Sequence, residues 1–162
     1  MSHQYKETID QLQTLSLLAS QKTLHITSVM MEASEHSVYM GALDEGFFER
    51  IAAAAESAVI RTKRTKSTKQ LNEKRADALQ FITENLPTFE KGNQLLSELG
   101  ESPLEYKNTI SYWDIYVDNA ADNEDWFDDL DEASDALHEA LTDFSDQCAK
   151  LADRLIDKSK AN

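Results

Sequence analysis

Residues 124–158 read EDWFDDLDEASDALHEALTDFSDQCAKLADRLIDK, and their spacing decides the fold. Leu130, Leu137, Phe144 and Leu151 recur every seven residues, with Phe127, Leu141, Cys148 and Leu155 interleaved. Apolar residues at steps of three and four share one side of an α-helix, whereas a strand would alternate. On the other side Asp125, Glu132, Glu139, Asp146 and Asp153 repeat with the same period of seven, and Asp128 and Asp135 lie alongside. The spacing predicts an amphipathic helix from about Glu124 to Lys158, about 50 Å long, with a carboxylate row of about 42 Å.

A second long helix stands at the other end of the chain. Residues 4–39 hold no Gly or Pro, and Tyr5, Leu12, Ala19, Ile26, Ala33 and Met40 recur every seven residues, joined by Leu15 and Val29. Gly41 is placed to end this helix, because Gly is favoured just past a helix C-terminus. A further apolar row, Leu17, Leu24, Met31 and Val38, has the same period on the opposite side of the seam. One interface cannot bury both rows. Either this helix is central in the fold, or the second row is a self-association surface that makes a homodimer.

Shorter helices are expected between the two long ones. Asp44 caps one, with Phe47, Phe48, Ile51, Ala55 and Val59 on its buried side. Residues 61–70 hold no apolar side chain and several poor helix formers, and are expected to be a basic exposed connector or a frayed helix end. Helical spacing resumes at Leu71, Ala78, Leu79, Ile82 and Leu86 and should stop at Pro87. A short helix near 93–99 ends at Gly100. Ser102, Pro103 and Glu105 then have the pattern of a cap, a first-turn proline and a capping-box acid. That helix would turn Tyr106, Ile110, Trp113, Val117 and Ala120 inward, and Asp122 or Asn123 would cap the last one. The expected architecture is therefore all-α, an elongated helical bundle formed by a single acidic domain over residues 1–162. Only four Gly and two Pro in 162 residues agree with few connections.

Charge narrows the function. The net charge is −14, which repels nucleic acid and anionic membrane and attracts basic proteins. Residues 61–75 hold seven of the 16 bases, while 108–149 hold 13 acids and no Lys or Arg. Of the 15 acids after residue 107, 12 are Asp, although Glu is the better helix former. The plainest reading of the acidic row is a solvated face. The excess of Asp, whose charge sits close to the backbone, favours a stiffer pattern that meets a basic partner or imitates a phosphate array. The partner-binding candidates are Asp125, Asp128, Glu132, Asp135, Glu139 and Asp146. The basic stretch, lacking interleaved aromatics, is expected to serve as an electrostatic partner for the acidic helix rather than as a nucleic-acid platform. Trp113, Trp126 and the tyrosines are expected in the core and rim, although Tyr112, Trp113 and Tyr116 beside Trp126 and Phe127 could instead border a binding surface.

Catalysis finds little footing. Cys148 falls in the apolar seam, where a thiol is inert packing, and a single cysteine excludes a disulfide framework. Glu32 with Glu35 or His36, and Asp135 with His138, share helix faces, but no Glu-x-x-His pair of the two-metal helical type occurs. Glu32 and Glu35 form the Glu-x-x-Glu spacing that is the one point of likeness to all-helical nucleotide pyrophosphatases. No cofactor or metal is expected. With no basic-then-apolar leader and no apolar run of membrane length, the expected location is the cytoplasm. The sequence thus favours a non-catalytic helical interaction protein of inhibitor, immunity or antitoxin type. A self-assembling structural or chaperone-like protein is the first alternative and a Mg²⁺-dependent pyrophosphatase the second.

Overall fold

The computed structural model describes residues 3–35, 47–106 and 126–161, with side chains described at 3–35, 58–106 and 126–160. It contains three α-helices, α1 (His3–Glu35), α2 (Phe47–Glu98) and α3 (Trp126–Ala161), and no strand among the described residues. The all-α class and the long first and last helices agree with the sequence pattern. Gly41, Asp44, Asp122 and Asn123, Met40, and Ile110 to Ala120 lie outside the described residues.

The middle of the chain departs from expectation. In place of several short helices there is one of 52 residues, the longest of the three. Residues 61–70 are not a connector but continuous helix, and Arg64, Ser67 and Thr68 within them are buried. The reason is local. Threonine disfavours helix interiors because its hydroxyl competes for backbone groups, and here that competition is absorbed along the helix itself. Thr62, Thr65 and Thr68 each donate to the carbonyl four residues earlier, at 3.0, 2.9 and 3.0 Å.

Pro87 does not stop the helix either. Its missing N–H and the clash with the preceding turn cost about 3 kcal/mol. Phe89, Leu95 and Leu96 beyond it are buried, at about 1.5–3 kcal/mol each, so continuing the helix outweighs breaking it. In the turn before the proline, Asn85 Nδ2 donates to the Phe81 carbonyl at 2.7 Å, giving that oxygen a further partner.

Gly100 ends α2 as anticipated. It has φ +83°, the Glu101 N–H donates to the Leu96 carbonyl at 3.2 Å, and the Gly100 N–H donates to Ser97 at 3.0 Å. This pair of bonds is a Schellman stop, which requires the left-handed backbone glycine tolerates. The helix start expected at Ser102–Glu105 is not formed, because residues 101–106 are non-helical. Asn93 takes both backbone groups of Leu104, accepting from its N–H and donating to its carbonyl, each at 2.9 Å. Those groups are thereby withdrawn from any helical ladder.

Cross-helix contacts fix the directions. Lys22 on α1 pairs with Asp77 on α2 at 2.8 Å, and Leu12 lies beside Gly92, so α1 and α2 run in opposite directions. Trp126 meets Thr68, Phe144 meets Phe81 and Leu151 meets Gly92, so α3 runs parallel to α2. Ser145 Oγ donates to the Ser16 carbonyl at 2.8 Å across the α1–α3 contact. The seam of α1 (Ile9, Leu12, Leu15, Ala19, Ile26, Val29, Ala33) closes on that of α3 (Leu130, Leu137, Leu141, Phe144, Cys148, Leu151, Leu155) and on Leu71, Ala78, Ile82 and Phe89 of α2. Gly92 marks the tightest point, where a β-carbon would stand 2.7 Å from Leu151 Cδ2 and 3.0 Å from Leu12 Cδ1.

α3 begins at the level of Arg64–Thr68, so α2 continues toward its N-terminus for about 25 Å beyond that level. Val59, expected on a buried face, is therefore 53% exposed. The side chains of Phe47, Phe48, Ile51 and Ala55 lie outside the described ones.

Candidate functional site

The acidic face belongs to α3. Its apolar positions are buried against α1 and α2, which turns the positions half a turn away into solvent. Asp128, Glu132, Asp135, Glu139 and Asp146 are all exposed, as is Asp153 further along, whereas Asp125 lies outside the described residues. Asp129 and Asp131 widen the face near its start. Lys and Arg are absent from 126–149 and return only at Lys150 and Arg154. Among the described residues the ion pairs are Lys22–Asp77 and Lys158–Glu101, and neither involves this face.

Asp143 sits half-buried at the border of the face. Partial burial comes first in holding its carboxyl above the ordinary carboxylate range, and repulsion from Asp146 and Glu139 adds to it against the pull of Lys150. Tyr106 packs edge-on against Phe144, with ring centroids 5.4 Å apart, on the same side. Burial, and then the Asp143 charge, push its phenol up to about 12. The polarity along α3 is also favourable to the helix itself. Asp128 and Asp129 occupy the first turn and Lys158 and Lys160 the last, each complementing the helix dipole.

The basic stretch meets the start of this helix through an aromatic contact. Arg64, only 7% exposed, lies over the Trp126 ring at 5.1 Å, and the Trp126 indole N–H donates to Thr68 Oγ1 at 2.8 Å. Thr68 already donates its own proton to the Arg64 carbonyl, which leaves its lone pair facing the indole. Trp126 is thus a core residue, as expected, while Tyr112, Trp113 and Tyr116 lie outside the described residues. The sequence pattern missed this three-residue lock, because Arg64 and Thr68 sat in a stretch without apolar residues. Lys63, Lys66 and Lys69 remain exposed around it.

The second apolar row of α1 lies in the open. Leu17, Leu24 and Met31 are 60%, 67% and 67% exposed, and Val38 lies outside the described residues. This answers one of the two readings of the row: α1 is not central among the described helices, since the face opposite its seam meets solvent.

Cys148 is fully enclosed, and burial alone pushes its thiol up to about 12. Among the described residues no three His, Cys, Asp or Glu side chains converge as metal ligands do. Glu32 and Glu35 are exposed, and His36 is outside the described residues. No described helix is long and apolar enough to cross a membrane. No family model, curated protein or solved structure matches the chain.

Proposed function

We propose that this chain forms an elongated helical bundle that acts as a non-catalytic interaction protein, holding a basic surface of a protein partner against the exposed face of α3. Inhibitor, immunity-type and antitoxin-type proteins work in this manner, and imitation of a nucleic-acid phosphate array is one form of it. The observation that carries the reading is the uncompensated face itself. Eight carboxylates stand between Asp128 and Asp146 with no Lys or Arg on the same stretch of helix and no ion pair to it among the described residues. Concentrating like charge on one rigid helix raises the free energy of the isolated protein, and a cationic surface relieves that repulsion on binding. Rigidity also matters: Asp side chains short of rotamers lose less freedom when they are held.

The test replaces Glu132→Gln, Asp135→Asn, Glu139→Gln and Asp146→Asn together. All four side chains are exposed, so the fold should persist. Affinity capture from the native host, at low and high salt, should lose its partner in this variant and at high salt, with association slowed roughly tenfold or more. The comparison variant carries Arg61→Gln, Lys63→Gln and Lys66→Gln. Arg64 is left in place because it is packed on Trp126. Normal capture by the amide variant would sink the proposal, and loss in the basic variant alone would move the binding surface to α2.

A further inference from the structure

The exposed row on α1 is set in a surface unlike the rest of the molecule. Residues 11–31 hold a single formally charged side chain, Lys22, in a chain that is 28% charged. That lysine is already held by Asp77 at 2.8 Å and lies over the Phe81 ring at 5.0 Å. The outward face between Asp10 and Glu32 is therefore made of Gln13, Leu17, Ser20, Leu24, Ser28 and Met31, with Leu18, His25 and uncharged polar side chains beside them. A copy of a protein with net charge −14 is repelled by every acidic face it approaches. This stripe is where such a copy meets apolar anchors and no carboxylate.

We propose that the stripe is the self-contact of a homodimer in which two α1 helices pack antiparallel about a two-fold axis at Leu24. The row is symmetric about that residue, with Leu17 and Met31 each seven positions away. Antiparallel pairing sets Leu17 against the second copy's Met31 and Leu24 against its own counterpart, the self-complementary contact a two-fold axis requires. It also sets Glu32 opposite Ser16 and Glu35 opposite Gln13, so no carboxylate faces its own copy. Parallel pairing would bring Asp10, Glu32 and Glu35 each against itself. A basic partner finds no acid to hold on this stretch, and an anionic membrane finds no exposed Lys or Arg. Beside the row the surface becomes charged again, since the open groove between α1 and α2 is lined by His25, Glu32, Glu73 and Lys74 as well as Leu24, Ser28 and Gln70, and this confines the contact to the row itself. Three anchors make a small contact, so the dimer belongs to the weak, concentration-dependent class. The inference is independent of the acidic-face reading, and salt separates them: screening weakens a charge-held complex but relieves repulsion between two copies of an anion.

Single-cysteine variants test the register. Under mild oxidation Leu24→Cys should crosslink to itself, since the two positions meet on the axis. Leu17→Cys and Met31→Cys should not crosslink alone, because each stands about 21 Å along the helix from its own copy, beyond the roughly 7 Å that a disulfide spans. Mixed together, those two should crosslink to each other. The buried native Cys148 takes no part. Sedimentation of the unmodified protein should show particle mass rising toward twofold with concentration, and more readily at high salt. Leu17→Glu with Met31→Glu should remain a helical monomer. A wild-type monomer at every concentration overturns the proposal, and equal self-crosslinking at all three positions overturns the antiparallel register. Unfolding of the double Glu variant overturns it too, because it would mean the row is covered within the chain.

Discussion

Replacing Thr68 with valine removes one oxygen and little volume, and the structure assigns that oxygen two tasks. It donates to the Arg64 carbonyl inside α2, and it accepts the indole N–H of Trp126 at 2.8 Å, in a site where Trp126 is 1% exposed. The Arg64 carbonyl lies inside the helix, where the ladder offers it another donor, so its loss is minor. The indole N–H has nowhere else to go, and a buried donor left without a partner costs about 1–3 kcal/mol. Taking about 2 kcal/mol, and a shift of about 2–4 °C per kcal/mol for a chain of this size, thermal unfolding followed by circular dichroism should move down by about 4–8 °C. Trp126→Phe alone should also destabilise, through lost packing beneath Arg64. The double variant should fall short of the sum, since removing the donor removes the penalty of the missing acceptor, and the coupling should be about 0.5–3 kcal/mol. A Thr68→Val protein melting within a degree of the original, with no coupling to Trp126, would refute the claim that the basic stretch locks the start of α3.

Three further perturbations follow from the same packing. Gly92→Ala gains about 1 kcal/mol of helix propensity but drives a methyl to within 2.7 Å of Leu151, and overpacking of about 1–3 kcal/mol should leave a net loss in chemical denaturation. A gain of the full propensity would show that the three helices are farther apart there. Asp143→Asn should raise the melting temperature at neutral pH, because a carboxyl whose folded-state pKa is raised binds its proton more tightly folded than unfolded. Its charge therefore opposes folding at high pH, stability rises as pH falls through the raised value, and the advantage of the amide should vanish below the ordinary carboxylate range. Cys148, enclosed and with its thiol pushed up to about 12, should stay unlabelled by maleimide until the protein unfolds, and prompt labelling would contradict the seam.

The parts of this fold that could be read from sequence are those where one long-range requirement dominates. α1 and α3 each bury a stripe against the other, so the heptads of Leu12, Ala19 and Ile26 and of Leu130, Leu137 and Phe144 marked the core directly. The same period marked the acidic row and the second apolar row as faces of their helices, but the sequence left open whether the apolar row was covered, and only the packing turns Leu17, Leu24 and Met31 outward. Gly100 was legible because a left-handed residue has few alternatives. In α2, local signals and packing disagree, and packing prevails. Pro87 and the threonines of 61–70 argue for breaks, but Phe89, Leu95 and Leu96 on one side and the Trp126 contact on the other reward a single rod. The cap pattern at Ser102 failed for a comparable reason. Nothing in Ser-Pro-Leu-Glu says that an asparagine nine residues before Ser102 will capture Leu104 by both of its backbone groups.

The two rows also explain one another. Each uses a helix face that the core leaves over, yet one is dense with charge and the other nearly devoid of it, and a uniformly solvated surface would have no reason to separate them. On α3 the acids are concentrated, and repulsion from Asp146 and Glu139 adds to the partial burial that displaces the Asp143 carboxyl. On α1 the leucines and Met31 are left in water at 60–67% exposure, although polar replacements would cost the fold nothing there. A stripe without charge is the complement that an anionic chain needs in order to approach itself. A stripe dense with carboxylates is the complement that the proposed cationic partner would need. In a dimer joined through α1, both copies of the α3 face remain free, because the α1 contact uses none of their residues. A bivalent molecule then holds paired basic sites far more tightly than either face alone, provided their spacing matches. Leu17→Glu with Met31→Glu would strip that gain from a bivalent target while leaving affinity for a single basic site unchanged, whereas the α3 amide variant would lose both.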